Sequence, residues 1–296
     1  QDQIEIIVVT NVGQDGMTLL NNSQEGVLYI NDDSDSEQAK ALGIREAKGE
    51  ICAMFCADNE IMDKELFKNV HRYIKYGNFD GQYPIQYWYT PNDNSLNRYF
   101  ALIGGNDPVC YYIGKNDRIP HCVPLRRDTK NGHVRVDSKF TGYYRSYGCN
   151  GFFYKSEAIK KTDLDHYYPM DNAMEVGDIY GFASDAIWHK TADNLIRFLI
   201  KRYKYARDLF SDRGDRRWKM VDTNRDKLLL AWFCVSTITV IPCLAISLRG
   251  FLKIRDWAWF LHYPVCLGFL ITYSILAIRN LFKHGRLFQV KCQLPA

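Results

Sequence analysis

The sequence predicts an α/β domain, a mixed sheet flanked by helices, with an interfacial helix and apolar membrane helices after it. Three observations predict this. Short β-branched runs alternate with helical periodicity from residue 4 to residue 76. Residues 192–209 are helical, basic and aromatic at once. Two apolar runs, 228–248 and 257–278, are each close to the about 20 residues that cross a bilayer core.

The elements follow in order. Residues 4–9 (IEIIVV) read as a buried parallel strand, and Gly13, Asp15 and Gly16 as a loop. Residues 27–30 form a second strand. Helical spacing of Ala39, Leu42, Ile44 and Ala47 predicts a helix over 36–48, with Ser36 as N-cap and Gly49 as stop. Residues 51–55 form a third buried strand, closed by Cys56, Asp58, Asn59 and Glu60, and 63–76 a second helix. Strand, helix and strand in alternation imply a mostly parallel sheet, with ligands bound beyond the carboxyl ends of its strands. Asp58 sits at such an end. Residues 77–150, rich in Tyr, Asn, Gly and Pro, read as loops and short strands with one helix near 95–103. Asn106 and Asp107, ahead of Pro108, are candidate acceptor contacts.

The net charge of +4 is too mild to point to nucleic acid, and none is expected as a partner. The basic excess gathers in 197–227, just ahead of the apolar runs, where anionic membrane lipids are the natural partner. Pro242 near the centre of the first run allows it to lie in the interface instead. Trp257, Trp259, Tyr273 and Arg279 bound the second as an interfacial belt would. The nine cysteines follow no disulfide or zinc spacing, so free thiols in a reducing compartment are expected. No secretory signal opens the sequence, so the catalytic part is expected on the cytosolic side of a cell membrane, with a multi-pass anchor. The expected organisation is a catalytic domain over 1–191, a basic amphipathic segment over 192–227, a transmembrane hairpin over 228–279 and a cytosolic tail over 280–296.

Six stretches, in this order, resemble the family-two glycosyltransferases of the GT-A fold: IEIIVVTNVGQDG (4–16), AKALGIREAKGEI (39–51), AMFCADNEI (53–61), YGCNGFFYKSEAI (147–159), PMDNAMEV (169–176) and AIWHKT (186–191). SLNRYFALIGGNDPVCYYIGK (95–115) and RDWAWFLHYPVC (255–266) are similar to a membrane-attached prokaryotic branch of that family. The strand–helix unit that precedes residue 4 in the family is not in this sequence. Thr10 stands where the family carries a loop acid, and Cys56 where it carries the first Asp of Asp-x-Asp.

The resemblance implies an inverting transfer of sugar from a nucleotide-diphosphate donor, with a Mn2+ or Mg2+ ion neutralising the departing diphosphate. The acceptor is expected to be lipid-linked or membrane-proximal. Asp58 aligns with the acid that holds the metal, and His189 with a late histidine that completes the site. Imidazole beside carboxylate suits Mn2+ better than Mg2+, and Cys56 is a poor ligand for either. Asp171 is the expected general base, with Glu175 as a weaker alternative. The same Asp171 also suits a helix N-cap. Thr10, Asn11, Lys40, Cys56, Asp58, Gly148, Asn150 and Gly151 are the expected donor contacts. For each a plain reading competes: Lys40 as a solvated helix lysine, Asp58 and the glycines as turn residues, His189 as a structural histidine. Two alternatives stay open, a polyprenyl-phosphate glycosyltransferase and a non-catalytic membrane scaffold with a degenerate GT-A domain.

Overall fold

A computed structural model describes residues 4–11, 26–77, 79–123, 133–135, 150–177, 179–182, 186–211 and 216–284. The chain divides into two compact units, residues 1–89 with 114–190, and residues 90–113 with 191–296. Residues 90–113, read from sequence as part of the first domain's loops, thus group with the C-terminal helices.

In the first unit, β1 (Ile6–Thr10) and β2 (Val27–Asn31) pair in parallel and in register, Ile6 opposite Val27. Helix α1 (Ser36–Glu46) follows. Its N-cap is Asp35 rather than Ser36: the Asp35 carboxylate accepts from the amides of Glu37 and Gln38, satisfying two of the donors a helix start leaves open. α1 packs against β1, where Gly43 lies close to Val9. On the β1–β2 pair Ile6 stays 49% and Leu28 43% exposed. The expected buried strand is therefore only half-buried, and among the described residues no ladder joins the pair to the strand Ile51–Met54.

Among the described residues the main sheet has five strands in the order β3 (Ile51–Met54), β7 (Phe152–Lys155), β5 (Gly81–Pro84), β8 (Ile179–Phe182), β6 (His133–Arg135). Within this sheet, among the described residues, only β5 and β8 pair in parallel. The sheet is mixed, and the mostly parallel sheet expected from the strand–helix alternation is corrected. A late strand, β7, inserts antiparallel between β3 and β5. It reads FFYK, and its alternation splits the core. Phe152 and Tyr154 face one side with Met54, Tyr83, Ile85 and Ile179, while Phe153 faces the other with Leu66, Val70, Ile74 and Ile187. The first side is covered by α1, α5 (Ser156–Ile159) and α6 (Pro169–Glu175) through Ile44, Ile159 and Ala173. The second is covered by α2 (Leu66–Gly77), whose Leu66, Val70 and Ile74 recur every four residues, one stripe of an α-helix. Phe55, Phe67 and Phe153 close that side edge-to-face, with centroids 5.8–6.4 Å apart. A small second sheet pairs β4 (Asn59–Ile61) antiparallel with β9 (Ile187–His189).

The second unit is helical. Its α3 (Ser95–Ile103) matches the expected helix; Asn94 caps it, and Gly104 ends it in the left-handed region at φ 75°. After α4 (Pro108–Ile113) come α7 (Leu195–Ser211), α8 (Asn224–Thr239), α9 (Ile241–Lys253), a 3-10 turn over Trp257–Leu261, and α10 (His262–His284). Thr223 and Asp226 form a reciprocal capping box on α8. The first apolar run is not one straight helix. Pro242 cannot continue a helix, the chain breaks at Val240 (φ 66°), and α8 and α9 meet at a 94° bend. Among the described residues one stretch, Trp257–Phe282, is long and apolar enough to cross a membrane, or two if the bent pair is counted as a span. Helix α7 is amphipathic: Phe198 packs on Phe100 and Phe269, while Ile196 and Ile200 are exposed.

Candidate active site

The site grows from the place where β3 stops. β3 and β5 run the same way, so Met54 and Pro84 are carboxyl ends, and β7 enters beside them. The Gly151 amide donates to the Met54 carbonyl (2.9 Å), one residue beyond the β3–β7 ladder. Gly151 holds φ +74°, and a Cβ there would sit 2.8 Å from the Ile187 side chain, so only glycine brings β7 this close. The chain turns over residues 56–59, where the Asn59 amide bonds to the Cys56 carbonyl (3.0 Å), and leaves as β4. β4 pairs with β9 so that Asn59 faces His189, and the Lys190 amide donates to the Asp58 carbonyl (2.8 Å). This ladder carries two distant pieces of sequence to one point: Asp58 Oδ2 lies 3.5 Å from His189 Nε2.

The surroundings hold both groups in place. The Asn59 side-chain nitrogen donates to Asp58 Oδ1 (3.0 Å), the Cys56 carbonyl (3.1 Å) and Asn150 Oδ1 (3.0 Å). Asn150 in turn donates to the Tyr87 hydroxyl (3.1 Å), and that hydroxyl donates to Asp117. Burial first, and then the Asp117 charge, push the Tyr87 phenol well above its ordinary range, so it stays a neutral donor. Its ring tilts against His189 at 5.3 Å. Arg118, fully buried, lies over the rings of Tyr83, Tyr87 and Phe152 at 4.8–5.1 Å, and donates to the carbonyls of Asp117 and Asn150. A buried guanidinium so surrounded fixes Asn150, and through it Asn59 and Asp58.

The residues present suit a divalent cation. A carboxylate and an imidazole face each other at 3.5 Å, near the about 3 Å that separates neighbouring ligand atoms around one ion. His189 is 8% exposed and Asp58 33%, so the pair has one open side. The Asn59 Oδ1 is buried and without a hydrogen-bond partner, an acceptor left over beside the pair.

The remaining sequence-derived residues fall as follows. Asn150 and Gly151 join Asp58 and His189; Cys56, half-buried, lends its carbonyl to the turn. Gly148, with the loop at Gly13, Asp15 and Gly16 and most of the tail, lies outside the described residues. Thr10 ends β1, its carbonyl accepting from the Asp32 amide (3.0 Å), and Asn11 follows it exposed. Lys40 pairs with Glu37 on its own helix at 3.0 Å. Asp171 is buried, 4% exposed, in the first turn of α6. It is not the N-cap, a position held by Tyr168; the Asn172 side chain accepts from the Tyr168 amide (2.9 Å) instead. Two residues ahead of α6, the Tyr167 hydroxyl reaches the sulfur of Met54 (2.6 Å), the last residue of β3. Glu175 closes the helix at the other end, exposed in a shallow cavity with Asp80, Glu157 and Lys161. Asp80 precedes β5 and faces Gly177, which sets Glu175 at the opposite end of the sheet from Asp58. In the second unit Asp107 is a buried hub, accepting from Arg202 and Tyr273 at 2.5 Å each, and not an open acceptor contact.

Sequence reading missed Tyr87, Asp117 and Arg118. An arginine between Asp117 and Ile119 in a polar loop reads as solvated, and nothing local signals complete burial.

No protein-family model and no curated protein matches the chain. Among solved structures it is similar to the mannosyltransferase PcManGT from Pyrobaculum calidifontis, in complex with GDP-Man and Mn2+. Identity is 12%, covering 95% of this chain and 78% of that one, with a TM-score of 0.48. It is similar also to residues 1–349 of S. aureus TarS, at 12% identity over 95% of this chain and 82% of that one, TM-score 0.38. Against a longer structure of TarS the identity is 10% and the chain spans 50% of that length, TM-score 0.38.

Proposed function

We propose that the chain is an inverting, metal-assisted glycosyltransferase that moves a sugar from a nucleotide-diphosphate donor to a hydroxyl on a lipid-linked or membrane-proximal acceptor. One observation carries the reading: the Asp58 carboxylate and the His189 imidazole, 131 positions apart (189 minus 58), meet at 3.5 Å where β3 ends. That meeting place is the carboxyl end of a sheet strand, where α/β sheets bind ligands.

Asp58 and His189 would hold a Mn2+ or Mg2+ ion, which supplies Lewis-acid neutralisation of the diphosphate. The chain's own residues supply the rest. Asn59, Asn150 and Tyr87 orient the Asp58 carboxylate before any ligand arrives, so little reorganisation is needed on binding. Gly151 keeps the backbone close to the sugar's face. Asp171 takes the proton of the acceptor hydroxyl as its oxygen bonds to C1, and the C1–phosphate bond breaks with its electron pair leaving on the diphosphate. The Asp58-distal position of Glu175 favours Asp171 in this role.

A polyprenyl-phosphate acceptor is already anionic and needs no base. Asp171→Asn separates the two acceptor classes. Transfer to a hydroxyl should fall by about 10²–10⁴-fold, the ordinary worth of a general base. An equal rate for both acceptors, unchanged from the native chain, would remove Asp171 from the chemistry. The membrane part of the proposal rests on the apolar stretch Trp257–Phe282 and on α7, whose exposed Ile196 and Ile200 lie among Arg197, Lys201 and Lys204.

A further inference from the structure

We propose that Cys243, His262 and Cys266, with Tyr112 as the fourth donor, form a tetrahedral zinc site in the helical unit. The three Cys and His ligand atoms lie within 4.8 Å of one another, and all three residues are buried. His262 and Cys266 are four apart on α10 and so share a face; Cys243 comes from α9 and Tyr112 from α4. The proposal does not depend on the glycosyltransferase reading.

The spacing also suits a coordination site. The Tyr112 hydroxyl lies 3.4 Å from Cys243 Sγ and 3.4 Å from His262 Nε2, and Cys266 Sγ lies 3.7 Å from the same Nε2. An oxygen 3.4 Å from a ring nitrogen is long for a hydrogen bond between them. Around one tetrahedral zinc, with bonds of about 2.0–2.3 Å, neighbouring ligand atoms stand about 3.3–3.8 Å apart. The three measured edges fall in that range.

Surrounding groups meet the needs of such a centre. The Tyr99 hydroxyl sits 2.9 Å from His262 Nδ1, the remote-nitrogen contact that fixes a metal-bound imidazole in one orientation. The Ser236 hydroxyl is buried beside Tyr112, where it can donate to a ligand thiolate. Charge selects the ion. Two thiolates, a neutral imidazole and a Tyr112 hydroxyl that keeps its proton sum to zero with Zn2+, which a buried site tolerates, whereas Cu+ would leave one uncompensated negative charge. Binding releases the two thiol protons to solvent and changes no oxidation state. The ion would tie α9, just past the 94° break at Val240, to α10 and α4.

The test uses the full chain purified in mild detergent. Elemental analysis should find about one zinc per chain, and Cobalt substitution should give sulfur-to-metal charge transfer with the intense d–d bands of a four-coordinate site. Cys243→Ser with Cys266→Ser should remove both the zinc and the charge-transfer band. Because that variant could unfold, native protein is also alkylated with and without a chelator. Cys243 and Cys266 should become reactive only after chelation, read by mass spectrometry. Absent zinc with no cobalt bands, copper in its place, a Cys243–Cys266 disulfide, or zinc retained in the double variant would each overturn the proposal.

Discussion

Asp58→Asn should lower metal-dependent turnover of nucleotide sugars by about 10³-fold, or about 4 kcal/mol of transition-state stabilisation. The substitution is nearly isosteric. Its amide oxygen can still accept from Asn59, so the turn over residues 56–59 keeps its hydrogen bonds. What is lost is the negative charge facing His189 Nε2 across 3.5 Å. The unfolding midpoint should therefore move little while kcat/KM collapses, which distinguishes lost chemistry from lost structure. His189→Gln should cost less, about 10–100-fold, because one neutral donor is removed and the carboxylate remains. Steady-state assays across a panel of nucleotide sugars, run beside thermal unfolding, check both. Native turnover in Asp58→Asn would remove the carboxylate from the mechanism.

Arg118→Met should lower the stability of the unit that holds the site by about 3 kcal/mol, a fall in unfolding temperature of about 6–12 °C. The guanidinium is fully buried, covers three aromatic faces and donates to two carbonyls. Methionine fills much of the volume but leaves the Asn150 and Asp117 carbonyls without their donor, the costly half of a broken hydrogen bond. Arg118→Lys should recover only part of the loss, since a point charge cannot serve both carbonyls in the plane of a fork. Both variants should weaken donor binding, because Asn150 is the link between Arg118 and the Asn59–Asp58 turn. Calorimetric unfolding of the full chain is the check. A midpoint within about 1 °C of native for Arg118→Met would show that Arg118 is not what holds the site.

The parts of this fold legible in sequence are those set by local chemistry. The short β-branched runs became β1, β2 and β3 within two residues of their expected ends. The helix over Ser95–Ile103 was fixed by a capping Asn94 and a stopping Gly104, and Pro242 marked a break that became a sharp bend. Strand order was not legible. FFYK gives no sign that it inserts between β3 and β5, because pairing depends on partners far away in sequence and not on its own pattern. In the candidate site, Asp58 and His189 could be named from ordered motifs, and the Asn59–His189 register explains why they meet. Tyr87, Asp117 and Arg118 could not, since burying a charge is a decision of tertiary packing. The Cys243, His262 and Cys266 cluster escaped for a similar reason. Its two cysteines are 23 positions apart (266 minus 243), and only the bend between α8 and α9 and the fold of α10 bring them together.

The most direct test of the central claim is pulsed electron paramagnetic resonance of Mn2+ added to the full chain with a nucleoside diphosphate. Bound manganese should show a nitrogen coupling from the His189 ring that disappears in His189→Gln, and its binding should weaken sharply in Asp58→Asn. Manganese that binds without any nitrogen coupling, or equally well in both variants, would contradict the account.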